Sequence, residues 1–266
     1  MEIIEMRSYR SLIYVVALAL GLAASIAPAK AVVLDWDTVA WNPGSLNNSY
    51  DVTGDGINDI TVALSSQNAN VWTNDPTTGT MTPTINQTMT GGLSPVENSL
   101  LLAANLHTNS NVTLHLSFTG AQPGATNVSF TIFDIDVTTN SDIVEGIFGF
   151  TTDGTWVPAT ITNVGPAVTL SGTGFGQTLT GDVPSPNNSS NGNVTISFGA
   201  AYISDIFLTF SNTAGAPRYQ DIAIGDISFT PVPEVDPAIA SAISCFLAIG
   251  LTVFLRRRAA LRHSAR

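Results

Sequence analysis

NVTLHLSF, residues 111–118, decides the fold class. Val112, Leu114, Leu116 and Phe118 fall on one side of an extended chain, and Thr113, His115 and Ser117 on the other. That is the period of two of a half-buried strand. The same texture recurs in NVSFTIF (127–133), NVTISF (193–198) and DIFLTF (205–210). β-branched and aromatic residues fill these runs, and Gly, Pro, Asn and Asp punctuate them, which predicts one antiparallel β-sandwich of jelly-roll-like order. No stretch between residues 32 and 230 carries a sustained helical period, so the expected class is all-β.

Two of these strands change phase midway. In NVSFTIFDIDV the apolar side runs through Val128, Phe130 and Ile132, then through Phe133, Ile135 and Val137. In DIAIGDISF it runs through Ile222 and Ile224, then Ile227 and Phe229. Each shift predicts a β-bulge that brings an aspartate, Asp134 or Asp226, onto the formerly apolar side. The polar stretches 73–92 and 181–193 read as long loops, and GTGFG at 172–176 as a turn, because neither a helix nor a P-loop lysine follows it.

Outside residues 32–231 the sequence changes character. Arg7 and Arg10 precede an apolar stretch from Leu12 to Ala24, then Pro28 and Ala29-Lys30-Ala31. This is the layout of a secretory signal peptide over residues 1–31, cut by signal peptidase after Ala31 with Ala29 and Ala31 as the small residues of the site. At the other end, Ala238 to Leu255 is an uncharged run of 18 residues, long enough to cross the inner membrane as a helix. Arg256, Arg257 and Arg258 follow it directly and place that end on the cytoplasmic side.

Charge narrows the partners. Of the nine Lys and Arg residues only Arg218 falls within 32–231, against sixteen of the twenty Asp and Glu, so this region carries about −15. Nucleic acid is excluded as a partner, since binding phosphates needs clustered Lys and Arg. Cations are favoured. The one cysteine, Cys245, lies in the C-terminal apolar run, which leaves the sandwich without a disulfide.

DVTGDGINDI, residues 51–60, is the strongest local motif. Asp51, Thr53, Asp55 and Asp59 occupy positions 1, 3, 5 and 9 of a loop whose sixth residue is Gly56. Calcium takes six to eight oxygens, and the carbonyl of Ile57 would add one at the seventh position. Val62 at position 12 replaces the glutamate of an EF-hand. The motif resembles instead the Asp-x-Asp-x-Asp-Gly-x-x-Asp calcium loops of β-hairpins in integrin-type propellers, with Thr53 as its departure. A plain Asp/Gly turn without metal is the alternative.

FDIDVTTNSD, with Asp134, Asp136 and Asp142, is a weaker second candidate for a cation site, with a plain solvated strand edge as the alternative; Asp134 and Asp136 would project from one face of a strand about 7 Å apart. QDIAIGDISFTP resembles the closing strand of carbohydrate-binding jelly rolls, in which an aspartate contributes to a structural calcium, and Asp226 holds that place. Carboxylates about 5–9.5 Å apart also suit glycoside hydrolysis, so Asp134/Asp136, or Glu97 with Glu145, stand as a catalytic alternative. Nucleophilic catalysis has little support: no G-x-S-x-G occurs, and His107 and His115 are the only histidines between 32 and 231. Trp36, Trp41, Trp72 and Trp156 are candidates for a sugar-stacking surface.

Val232-Pro233-Glu234-Val235, the apolar run and the arginines form a tripartite tail over 232–266. That tail resembles the PEP-CTERM sorting signals read by exosortases, in a VPEID-like variant because Val235 stands where the third motif residue is Pro. The resemblance implies export, transient tethering in the inner membrane, removal of the tail near the Pro-Glu motif, and release or attachment at the cell surface. It also implies company with exopolysaccharide and biofilm. The expectation is therefore a non-enzymatic, calcium-stabilised envelope or extracellular-matrix protein. A carbohydrate-binding adhesin, a glycan-active enzyme and an uncut single-pass anchor are the alternatives.

Overall fold

The computed structural model describes residues 30–67, 71–120 and 123–232. Residues 1–29 of the expected signal peptide and the expected sorting tail from Pro233 onward, with the expected span 238–255, lie outside the described residues. Among the described residues no helix is long and apolar enough to cross a membrane. They contain sixteen strands: β1 (Val32–Leu34), β2 (Asn47–Tyr50), β3 (Ile60–Ser66), β4 (Thr84–Asn86), β5 (Ser99–Leu106), β6 (Val112–Phe118), β7 (Ala125–Phe133), β8 (Asp142–Phe150), β9 (Trp156–Pro158), β10 (Thr160–Thr162), β11 (Val168–Ser171), β12 (Thr178–Gly181), β13 (Val194–Gly199), β14 (Asp205–Asn212), β15 (Arg218–Ile224) and β16 (Ile227–Pro231).

All pairings among them are antiparallel, and they build two sheets of eight. In the first, β7 is central: β15 and β16 follow one another along one edge, β13 and then β10 lie on the other, β5 and β4 continue beyond β15, and β1 flanks β16. In the second the order is β2-β3-β6-β14-β8-β12-β11, with β9 beside the distal half of β8. The outermost strands, β4 and β10 of one sheet and β2 and β11 of the other, are three or four residues long.

The alternation that defines NVTLHLSF is the alternation of β6: its four apolar residues are at most 2% exposed. Ile206, Leu208 and Phe210 of β14 do the same beside it, and Leu100, Leu102, Ile132, Ile196 and Phe229 face them from the other sheet. Burying each such side chain contributes about 1.5–3 kcal/mol, and it is this core that holds a domain with no disulfide. β5 departs from alternation. It is buried on both faces: residues around Trp72 and β4 pair along its free edge, and the chain beyond them brings Met89 onto the outer side of the sheet. There Met89, Leu101, Phe133 and Ala223 make a second, smaller core.

The two phase changes have different causes. Ile224 faces Ile132 and Ser228 faces Ser129, so four steps on one strand oppose three on the other and an extra residue is absorbed at Gly225–Asp226. Gly225 serves by leaving room: a Cβ there would meet the Phe133 ring at 2.8 Å. The shift after Phe133 is a strand end instead of a bulge. Asp134 turns the chain in the left-handed region at φ 65°, and Ile135 re-enters the core.

A third phase change lies in β8. Phe148 faces Phe207 and Glu145 faces Thr209, so three steps on β8 oppose two on β14. The extra residue sits at Gly146, at φ 60°, a bulge of the kind that glycine in the left-handed region allows. Before it, Asp142 and Val144 point inward; after it, Ile147 and Gly149 do. Uninterrupted alternation would have driven Phe148 and Phe150 into the core, and the bulge places them on the outer face.

Candidate functional site

That outer face of the second sheet carries a continuous aromatic surface. The Trp156 ring of β9 lies 4.6 Å from both Phe148 and Phe150, its cross-strand neighbours on β8. Phe207 of β14 stacks on Phe148 at 5.6 Å and on His115 of β6 at 4.2 Å, almost parallel. Phe175, in the short 3-10 turn 174–176 between β11 and β12, closes one edge on Trp156 at 6.0 Å. Trp156 is 53% and Phe175 49% exposed. At the opposite edge His115 Nε2 pairs with Asp205 Oδ1 at 2.7 Å. Phe150 meets Phe148, Phe207 and Trp156 edge to face, at 64–89°, while Phe148, Phe207 and His115 lie closer to parallel, so the surface is an uneven apolar patch rimmed by a polar pair. Of the tryptophans proposed for stacking, Trp156 takes that place, Trp36 and Trp41 are core, and Trp72 is half-buried.

A second constellation lies at the end of the sandwich where β7 hands over to β8. Asp134, Asp136 and Asp142 are all at least nine-tenths buried. Burial pushes Asp134 up to about 8, with the carboxylates of Asp136 and Asp221 adding to the effect. Asp142 is also held well above the ordinary range by burial. Burial raises Asp136, opposed by the Ser185 amide, which donates to its Oδ2 at 2.7 Å. Asp221 of β15 rises to about 6 by burial, although the Tyr219 hydroxyl donates to it.

Asp226 does not join this group. Its carboxylate accepts the Trp36 amide at 3.0 Å, and its electrostatic neighbours are Asp35, Glu97 and Asp37. Asp226 therefore lies apart from Asp134 and Asp136, against the N-terminal segment, whereas Asp142 and Asp221 stand with Asp134. Glu97 and Glu145 are not brought together either, as Glu145 is exposed on β8 and Glu97 neighbours Asp226.

The 51–59 loop folds around its own carboxylates. Asp51 accepts the amides of Gly54 and Gly56 at 2.6 and 2.7 Å, which lowers its pKa. Asp59 Oδ2 accepts those of Val52 and Thr53 at 2.7 and 2.8 Å, and Asp55 accepts that of Ile57. Thr53 Oγ1 lies 3.5 Å from Asp51 Oδ1 and 3.4 Å from Asp59 Oδ1, so positions 1, 3 and 9 converge. Among the described residues no three His, Cys, Asp or Glu side chains form a ready metal cluster. Any cation at either place would need neutral oxygens to complete its shell.

The fold and these sites define an all-β, antiparallel two-sheet sandwich with an aromatic outer face. No protein-family model and no curated protein matches the chain. Among solved structures it is similar to the family 11 carbohydrate-binding module from Clostridium thermocellum in complex with a β-1,3-1,4-mixed-linked tetrasaccharide, at 13% identity and TM-score 0.32, covering 78% of this chain and 99% of that one. The enzymatically active domain of the bacteriophage CBA120 tailspike protein 4 gives 12% identity and TM-score 0.32 over 64% of this chain, which spans 19% of the tailspike. The K1 cleaved adhesin domain of Lys-gingipain from Porphyromonas gingivalis W83 gives 9% and 0.28, covering 76% and 99%. Scores this low carry no argument about ligand or activity.

Proposed function

We propose that the chain is an exported, non-enzymatic envelope or matrix protein whose sandwich binds polysaccharide on the aromatic face of the second sheet. The observation that carries this reading is the outward placement of Phe148, Phe150, Trp156 and Phe207. Pyranose rings present flat C–H faces that pack on such rings, and the His115–Asp205 pair supplies donors and acceptors for hydroxyls at the rim. The surplus of acids favours a neutral glycan over an anionic one. Export and exosortase sorting rest on the signal peptide and the tripartite tail. The non-catalytic reading is supported by the burial of Asp134, Asp136 and Asp142, which leaves a substrate no access. Calcium on the 51–59 loop is part of the same reading, as a stabiliser.

Glycan-array and affinity-gel measurements on residues 30–232, which belong to one compact unit with its own core, test it. Wild type should bind neutral polysaccharide, and Trp156→Ala should bind at least tenfold more weakly with an unchanged melting temperature. Binding that survives Trp156→Ala, or no binding to any neutral glycan, sinks the reading.

A further inference from the structure

Eight buried polar atoms of described side chains have no hydrogen-bond partner, and five of them belong to residues 134–142 and 185–193. They are Asp134 Oδ1, Asn140 Nδ2, Asp142 Oδ1, Ser185 Oγ and Asn193 Oδ1. The two segments pack together: the Ile135 amide donates to the Gly192 carbonyl at 2.9 Å and the Ser185 amide to Asp136 Oδ2. Four of the five atoms are oxygens, two of them carboxylate oxygens.

Asp75 provides the contrast. It is fully buried, yet it accepts from the Thr77 amide, Thr78, Asn86 and Thr88 at 2.7–3.0 Å. The sequence thus saturates one buried aspartate while leaving Asp134 and Asp142 each with a bare oxygen. Leaving a buried polar atom unpaired is costly, and more so for a charged group. No Lys, Arg or His is available to offset it: the basic residues of the described chain are Lys30, His107, His115 and Arg218, and none of them bonds to this group. The Ser185 hydroxyl is an observation separate from the carboxylates. Ser185 is held on Asp136 by its own amide, its hydroxyl is nine-tenths buried, and that hydroxyl also lacks a partner.

We propose that Asp134 and Asp142, completed by neutral oxygens of the 181–193 loop including Ser185 Oγ, bind a calcium ion. Two carboxylates with hydroxyl, amide and carbonyl oxygens match the hard, irregular oxygen shell that calcium accepts. Magnesium demands near-ideal octahedral geometry and keeps its waters, which a dry cage does not suit. This site is distinct from the 51–59 loop and independent of glycan binding.

The test is calcium titration by calorimetry of residues 30–232 after chelator treatment, in an Asp51→Asn/Asp59→Asn background that disables the loop. One calcium per chain should still bind. Asp134→Asn and Asp142→Asn, introduced separately, should each weaken it at least tenfold while far-UV circular dichroism stays unchanged. Asn is well tolerated in the left-handed region, so Asp134→Asn retains the turn. Magnesium at the same concentration should not compete. Absence of calcium binding in that background, or equal binding by Asp134→Asn, overturns the proposal.

Discussion

Phe207 stacks on His115 across β14 and β6 with ring centroids 4.2 Å apart and planes 10° from parallel, and the same imidazole is held by Asp205. The ring and the carboxylate together fix a polar edge against the aromatic surface. Phe207→Ala would leave His115 without its platform, and removing one stacked ring is worth about 0.5–1.5 kcal/mol beyond burial. Glycan affinity should fall by roughly tenfold. Asp205→Asn, which keeps the ring stack, should cost less. Parallel titrations of both variants check the order.

Gly146 holds the bulge at φ 60°, where an L side chain pays about 1–2 kcal/mol. Gly146→Val should lower the melting temperature by roughly 2–8 °C in a domain of this size, and Gly146→Asn by clearly less. Deleting Gly146 removes the extra residue and leaves a regular strand in which Ile147 still points inward and Phe148 and Phe150 outward, so a folded protein is expected. Thermal melts and soluble yield read all three.

Asp134 in the folded chain titrates at about 8, above the ordinary aspartate value of about 4. Between those values the folded state retains a proton that the unfolded chain has lost, so stability without metal falls as pH rises through this window. Asp221, shifted to about 6, adds to the slope in its lower half, with Asp136, Asp142 and Tyr219 as the neighbouring titratable groups. Urea midpoints in chelator should therefore decrease from pH 5 to pH 8. Asp134→Asn should flatten the profile.

Asp59 is 6% exposed and its Oδ2 receives two backbone amides. Asp59→Ala orphans both, a cost of about 3 kcal/mol, since hydrogen bonds to a charged group are worth about 1.5–3 each. Chemical denaturation should show that loss in chelator, and any calcium-induced rise in melting temperature from the loop should vanish with it. A wild-type loop that gives no such rise removes calcium from the 51–59 turn.

Sorting predicts a covalent outcome. Intact-mass analysis of the cell-surface protein should find a C-terminus near Pro233-Glu234 when an exosortase is present, and the full tail through Arg266 when it is absent. A tail retained in both conditions makes the segment a plain anchor.

The sandwich was legible because its strands alternate: β6, β7, β13 and β14 all begin within two residues of the runs that announced them. The aromatic face was not. DIVEGIFGF reads as one apolar segment, and only pairing with β14 reveals that Gly146 reverses its sides. The acid group was half legible. The expected 7 Å spacing of Asp134 and Asp136 assumed a strand that continues, whereas β7 stops at Phe133. Asp142 was named with them in FDIDVTTNSD and joins Asp136 through a local turn, its amide donating to the Asp136 carbonyl, whereas Asp221 reaches the group through strand pairing distant in sequence, which no local spacing encodes. For Asp226 the phase shift was read correctly and its neighbours were not, because the segment after β1 and Glu97 supply them.

Each sheet ends in strands of only three or four residues. Short edges offer a neighbouring copy too few unpaired amides and carbonyls to extend the ladder. On the proposed reading, which crowds many copies at a surface, such edges would keep the sandwiches separate molecules. Any cohesion would then come from what the aromatic faces hold, not from the chains joining one another into fibres.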